Sequence, residues 1–123
     1  MLTLERRRLH ERIAARVGRM LEAGWVEEVR GLLAAGVPPN APGLSAVGYR
    51  EIVAHLEGRV PAAALEGVIV AATRRYAKRQ ETWFRHQLRG PVLRLDSGAA
   101  PEALARAVLA GYRAAADRPC ASA

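Results

Sequence analysis

The stretch richest in chemistry runs Thr73-Arg74-Arg75-Tyr76-Ala77-Lys78-Arg79-Gln80-Glu81-Thr82-Trp83-Phe84-Arg85. It interleaves cations, aromatic rings and amide or hydroxyl donors. Arginine forks suit bidentate contact with phosphate. Aromatic rings and guanidinium planes stack on unpaired bases, the usual way single-stranded RNA loops are held. The same composition also describes a basic helix face that is merely solvated. On a helical wheel of about 100° per residue, Leu65, Ile69, Ala72, Tyr76 and Trp83 share one stripe. Arg74, Lys78, Arg85 and Arg89 lie opposite, with Arg75, Arg79 and His86 beside them, and Glu81 is the only acid on that side. The pattern predicts a core face holding Tyr76 and Trp83, and an anion-facing side led by Arg74, Lys78 and Arg85. Phe84 fits neither stripe.

A second candidate is Leu44-Ser45-Ala46-Val47-Gly48-Tyr49-Arg50-Glu51. A Pro-rich loop leads through small residues into a helix start. Such a start suits close approach of a ligand backbone, and free N–H groups there favour phosphate. The plain alternative is a loop-to-helix junction with a glycine that serves packing.

Other chemistries are excluded or bland. Lys78 is the only lysine, and no glycine lies near it. A phosphate-binding loop needs glycines just before a Lys-Ser or Lys-Thr pair, so none is present. His10, His55 and His86 are too far apart in sequence for metal-ligand spacing. Cys120, the single cysteine, excludes an internal disulfide and a Cys-based zinc site. No Ser-His-Asp arrangement is readable. The acids sit mostly beside arginines, as Glu11 does with Arg7 and Arg8, and read as solvated pairs.

The formal net charge of the 123 residues is +7, which favours polyanionic partners through phosphate neutralisation. An Arg-rich coding bias would give the same sum. No stretch approaches the roughly 18 apolar residues of a membrane span. The charged start, Glu5 to Arg8, is not a secretory signal. The expectation is a cytoplasmic chain without membrane contact.

Periodicity places the elements around these candidates. A first helix is expected over Leu4–Ala23, with Leu9, Ile13, Val17 and Met20 inward, Thr3 as cap and Gly24 as stop. A second runs Val26–Ala35, burying Val26, Val29, Leu32 and Leu33. Residues 36–43 are a Pro-rich loop. A third helix is expected over Ser45–Glu57, with Ile52, Val53 and Leu56 inward. The long basic helix spans Ala62–Leu88. Val92–Leu95 reads as a strand, Asp96–Gly98 as a turn, and Pro101–Ala116 as a last helix with Leu104, Val108, Leu109 and Tyr112 inward. The fold class is mainly α, with about five helices and one short strand, forming one helical region over residues 1–116 and a frayed tail over 117–123. A lone strand wants a sheet supplied from elsewhere.

The order and spacing of four pieces resemble the tRNA dimethylallyltransferases, also called tRNA isopentenyltransferases. The pieces are Leu9-His10-Glu11-Arg12-Ile13 with Arg16-Val17 and Met20; Gly24-Trp25-Val26-Glu27-Glu28-Val29; Ala46-Val47-Gly48-Tyr49-Arg50-Glu51-Ile52; and Thr73 to Gln80 with Thr82-Trp83-Phe84-Arg85. The resemblance covers about Glu5 to Asp96 and is to the C-terminal part of an α/β transferase of the phosphate-loop type. Gly18 and Glu81 depart from the family's pattern.

The resemblance implies transfer of a dimethylallyl group from its diphosphate to N6 of the adenosine beside the anticodon. The base is flipped out to be reached. The phosphate loop, the carboxylate that assists deprotonation and the Mg²⁺ of the full enzyme belong to the family's N-terminal half, so no catalytic residue and no metal ligand is expected here. What carries over is tRNA contact by Leu44, Ser45, Ala46, Val47, Gly48 and Tyr49, and by Lys78, Arg79, Gln80, Glu81, Thr82, Trp83, Phe84 and Arg85. Arg12 and Arg16, one helical turn apart, match family arginines and are candidates for the substrate phosphates. The implied partners are the tRNA anticodon stem-loop, dimethylallyl diphosphate in the full enzyme, and a separately encoded N-terminal half if the enzyme is split. The alternatives are a non-catalytic basic RNA-binding module and a domain that docks on a partner's sheet.

Overall fold

The computed structural model describes residues 2–88 and 92–116. The expected tail from Asp117, Cys120, and the break at Gly90 and Pro91 with Arg89 lie outside the described residues. Five α-helices dominate: α1 (Arg6–Glu22), α2 (Trp25–Ala34), α3 (Tyr49–Leu56), α4 (Ala62–Gln87) and α5 (Pro101–Ala116). A 3-10 turn spans Pro42–Ser45, and two short strands, β1 (Leu2–Thr3) and β2 (Leu95–Asp96), complete the described elements.

The start of α1 is set by Glu5 and not by Thr3. The Glu5 carboxylate accepts the N–H groups of Arg7 and Arg8 at 2.9 and 3.0 Å. A carboxylate is favoured at the positive end of the helix dipole and offsets the run of arginines that follows. Thr3 has a different task. It lies in β1, and its hydroxyl donates to the Leu95 carbonyl at 3.1 Å. The strand expected at Val92–Leu95 therefore appears at Leu95–Asp96, and its partner is in this same chain. β1 and β2 run parallel, with Leu2 opposite Leu95 and Thr3 opposite Asp96.

The core forms where α1, α2, α3 and the first half of α4 meet. Ile69, Val29 and Ile52 are fully buried, one each from α4, α2 and α3. Ile13 and Val17 of α1 join them, with Leu9 and Met20 partly buried at the edge, as the apolar spacing predicts. Trp25, at the first position of α2, is 7% exposed and belongs to this core. Its neighbour Gly24 hid it from a reading that began the helix at Val26.

The third helix is shorter than expected. The chain leaves the 3-10 turn through extended Ala46 and enters α3 only at Tyr49, through Gly48 at φ +96°. That positive φ is incompatible with a helix running continuously from Ser45.

The largest correction concerns α4 and α5. Leu65, Ile69, Val70 and Ala72 are buried, and Ala77 is the last α4 residue packed against the core. Beyond it no α4 side chain joins the core cluster. Tyr76 is 46% and Trp83 is 58% exposed, so neither is in the core. The stripe is real, but nothing covers its far end. In α5, Leu104 is half-buried, while Val108, Leu109 and Tyr112 are exposed and not inward. That helix packs against β2 alone among the described elements. No described helix is long and apolar enough to cross a membrane.

Truncating the central contact should cost most. Ile69→Ala is expected to destabilise the chain by about 2–5 kcal/mol, whereas Val108→Ala, on the exposed side of α5, should change stability by less than about 0.5 kcal/mol. Gly67→Ala should stabilise by up to about 1 kcal/mol, because an added Cβ meets nothing within 4 Å there. Urea denaturation followed by circular dichroism measures all three.

Candidate RNA-binding surface

Two of the sequence-predicted segments reach the surface by different physical routes. Residues 78–85 ride on the part of α4 that has left the core, and Lys78, Arg79, Gln80, Glu81, Thr82, Trp83, Phe84 and Arg85 are all exposed. Within this helix Arg85 pairs with Glu81 one turn back at 3.0 Å. The Thr82 hydroxyl donates to the Lys78 carbonyl at 3.0 Å. The Arg79 guanidinium lies 5.7 Å from the Tyr76 ring centroid, within cation–π range. Trp83 and Phe84 meet edge to face, with centroids 5.0 Å apart. Glu81 thus restrains Arg85 and lowers the local positive charge.

A cleft of about 750 Å³ opens between this end of α4, the start of α1 and the strands. Gln80, Glu81, Phe84 and Arg85 line one side, and Arg6 and Arg94 face them from α1 and from the approach to β2. The structure brings those four predicted residues together. Arg6 and Arg94 were not foreseen, because they lie far away in sequence and only the β1–β2 pairing places them here. Arg6 also borders a second, open groove with His10 and with Arg74 of α4.

The segment 44–49 is held instead of carried. Leu44 is buried in the core. Ser45 and Ala46 are exposed, Val47 and Tyr49 half-buried, and Gly48 buried. The Ser45 hydroxyl donates to the Pro42 carbonyl at 2.6 Å. Tyr49 donates its hydroxyl to Glu28 at 2.8 Å, and its ring meets Trp25 edge to face at 5.4 Å. The Glu28 carboxylate that accepts this hydrogen bond holds the Tyr49 phenol above its ordinary pKa, with burial adding to the effect. None of these residues lines the cleft beside α4.

Glu51 is the buried charged residue among those described, at 7% exposure. Its carboxylate accepts the Gly48 N–H at 2.7 Å and the Arg50 guanidinium at 2.8 Å. Burial pushes its pKa up, but Arg50 and the N–H groups of Gly48 and Glu51 outweigh this and leave it lowered. Arg12 and Arg16 are exposed on α1, and neither forms an ion pair among the described residues. Neither lines the cleft. No group of three or more His, Cys, Asp or Glu able to hold a metal occurs among the described residues, so no step is assigned to Mg²⁺ on them.

Four helices around one core, with a parallel strand pair joining Leu2–Thr3 to Leu95–Asp96, define an architecture met in tRNA-modifying transferases. A solved tRNA isopentenylpyrophosphate transferase from Bacillus halodurans superposes with a TM-score of 0.81 at 31% identity, over 92% of this chain and 37% of that one. One from Staphylococcus epidermidis gives the same TM-score at 26% identity, over 91% of this chain and 36% of the other. Among curated relatives, a tRNA dimethylallyltransferase of Synechococcus sp. is 55% identical over 78 residues, 63% of this chain and 23% of that protein. That of Rhodospirillum centenum is 50% identical over 93 residues, 76% of this chain and 29% of its own length. The chain therefore spans less than a third of these relatives. The family model described as IPP transferase matches residues 1–87. The chain belongs to the IPP transferase family.

Two substitutions test the geometry of the segment. A Cβ at Gly48 would collide with the Trp25 ring, while one at Gly58 (φ +79°) meets nothing within 4 Å. Gly48→Ala should therefore cost about 3 kcal/mol or more, and Gly58→Ala only the about 1–2 kcal/mol of backbone strain. Because the Glu51 pKa is lowered on folding, its contribution is complete above the ordinary carboxylate range and is lost as pH falls through it. Denaturation midpoints measured from neutral to acid pH should flatten in Glu51→Gln.

Proposed function

We propose that this chain is the tRNA-contacting C-terminal part of a tRNA dimethylallyltransferase, working in the cytoplasm as one helical region over residues 1–116. The observation that carries the proposal is the exposed stretch from Lys78 to Arg85, whose cations, amide and rings stand beside an arginine-lined cleft in a chain of this family. Cations neutralise RNA phosphates, and exposed rings stack on unpaired bases. The segment 44–49 offers RNA the surface of Ser45 and Ala46, while Leu44, Val47, Gly48 and Tyr49 hold it in place.

The reaction of the whole enzyme is then a substitution at the allylic carbon. The carbon–oxygen bond to the diphosphate breaks, the bond to N6 of the adenosine forms, N6 gives up a proton, and diphosphate leaves. This chain supplies no acid, base or metal ligand to it. Arg12 and Arg16 are the groups here that would meet the departing diphosphate, since both are exposed cations one turn apart with no acid holding them. Mg²⁺ and the phosphate loop belong to the part of the family enzyme that this stretch does not match.

The test is titration with an unmodified anticodon stem-loop RNA at several salt concentrations. Lys78→Ala/Arg85→Ala should weaken binding about tenfold and lower the salt slope by about 0.7 for each phosphate that is no longer neutralised. With dimethylallyl diphosphate, Mg²⁺ and tRNA, this chain should give no N6-prenyladenosine. Product would overturn the assignment of catalysis to another segment. Equal affinity for unrelated RNAs would favour a non-specific RNA-binding module, and co-purification with a phosphate-loop protein would favour a split enzyme.

A further inference from the structure

We propose that Glu51 and Trp25 are positioning residues for RNA binding, acting through the backbone of Gly48 to set the shape of the 44–49 segment without touching RNA. The inference rests on the RNA-binding reading above.

The segment is exposed only at Ser45 and Ala46 and needs an anchor at each end. At one end the buried Leu44 side chain enters the core. At the other, Gly48 turns the chain at φ +96°, ψ −53°, outside the ordinary L-residue regions. Two contacts hold that turn. Glu51 Oε2 accepts the Gly48 N–H at 2.7 Å from beneath. The Trp25 ring fills the space a side chain at 48 would need, with Cζ2 2.5 Å from where its Cβ would be and Cη2 closer still.

Each residue buries a polar group, and for Glu51 the capping contact with Gly48 and the pairing with Arg50 more than offset that cost. Glu51 is a carboxylate kept out of water, and such groups are retained only when paired and hydrogen-bonded. The buried Trp25 Nε1–H makes no hydrogen bond of good geometry, although the Tyr49 hydroxyl lies near enough for it to pull the phenol pKa down against the larger effect of Glu28. A phenylalanine would fill much of the same apolar space and carry no buried donor. What the indole adds is reach, and the atoms under Gly48 belong to its far ring. The same indole braces the Tyr49 ring at 5.4 Å, and Glu28 holds the Tyr49 hydroxyl. The turn is thus fixed from below, from behind and from the following residue. A segment preorganised in this way binds without an ordering cost.

The experiment measures affinity of the full chain for an anticodon stem-loop RNA, with melting curves of each variant as a folding control. Glu51→Ala and Trp25→Phe should each weaken binding about tenfold while melting stays cooperative. Glu51→Gln should bind within about threefold of the parent, since its carbonyl oxygen still accepts the Gly48 N–H. Because Gln caps a helix start as Glu does, the melting curves decide: a merely structural role lowers affinity only where the folded fraction falls, whereas a positioning role lowers it in variants that remain fully folded. Parent-like binding by Glu51→Ala and Trp25→Phe overturns the inference. So does Glu51→Gln binding as weakly as Glu51→Ala, which would make the charge and not the N–H contact responsible. If Lys78→Ala/Arg85→Ala binds like the parent while Glu51→Ala does not, the role assigned to α4 falls and the positioning role stands. A parent chain with no affinity for RNA overturns both.

Discussion

Everything displayed by this chain depends on how the first half of α4 is seated. Leu65, Ile69, Val70 and Ala72 are buried, and this half of the helix packs directly on α1 and α3. Ile69 belongs to one buried cluster with Val29 and Ile52, which α2 joins through its packing on α1 and α3. An α-helix is stiff over this length, and fixing one half fixes the direction of the other. The stretch from Lys78 to Arg85, about 11 Å long at about 1.5 Å per residue, is therefore aimed by residues that never reach the surface. Packing energy in the core becomes precision at the exposed end.

The second surface is held by a different principle. Residues 44–49 pass from the end of the 3-10 turn to the first residue of α3, and between the two elements Gly48 is held by one carboxylate and one indole. Helix continuity tolerates single side-chain changes, because each backbone hydrogen bond is supported by its neighbours. A turn at positive φ has no such redundancy. Its stability is local, and so is its failure. The lowered Glu51 pKa expresses the same local balance: burial raises it, and the Arg50 guanidinium first and then the N–H groups of Gly48 and Glu51 outweigh that effect.

Much of this was legible in the sequence, and the failures share a cause. Apolar spacing placed Ile13, Val17, Val29, Ile52 and Ile69 correctly, because a helical period identifies which face is apolar. It does not say how far along the axis a neighbour extends. Tyr76 sits on the expected stripe, yet its ring is uncovered just before Ala77, Trp83 lies beyond that last packed residue, and Val108, Leu109 and Tyr112 are likewise uncovered in α5. β1 is two residues long, too short to show alternation, so Thr3 read as a cap and β2 read as lacking a partner. The N–H contact between Gly48 and Glu51 has a sequence signature in its three-residue spacing, but only once the helix is known to begin at Tyr49. Arg6 and Arg94 had no local signal at all. Their meeting is a property of the strand pairing.

The misplacement of the aromatics changes what the basic helix is suited to bind. Cations alone fit any polyanion, including duplex backbones, whose base faces are hidden in the stack. Exposed rings among the cations add something only unpaired bases can use. The rings are also not equivalent. Arg79 lies over Tyr76 and already occupies one face of that ring. Trp83 and Phe84 stand at 82° to each other, so a base stacked on one meets the other edge-on. Only Phe84 of the two lines the arginine-walled cleft, and Arg85 follows it there, with Glu81 limiting its swing. A base against Phe84 would bring its phosphate within the reach of Arg85, Arg6 or Arg94, whereas a base on Trp83 would stay outside. The surface is in this sense ordered along its length. Trp83 stands outside the cleft, and Phe84 lines it together with Arg6, Arg85 and Arg94.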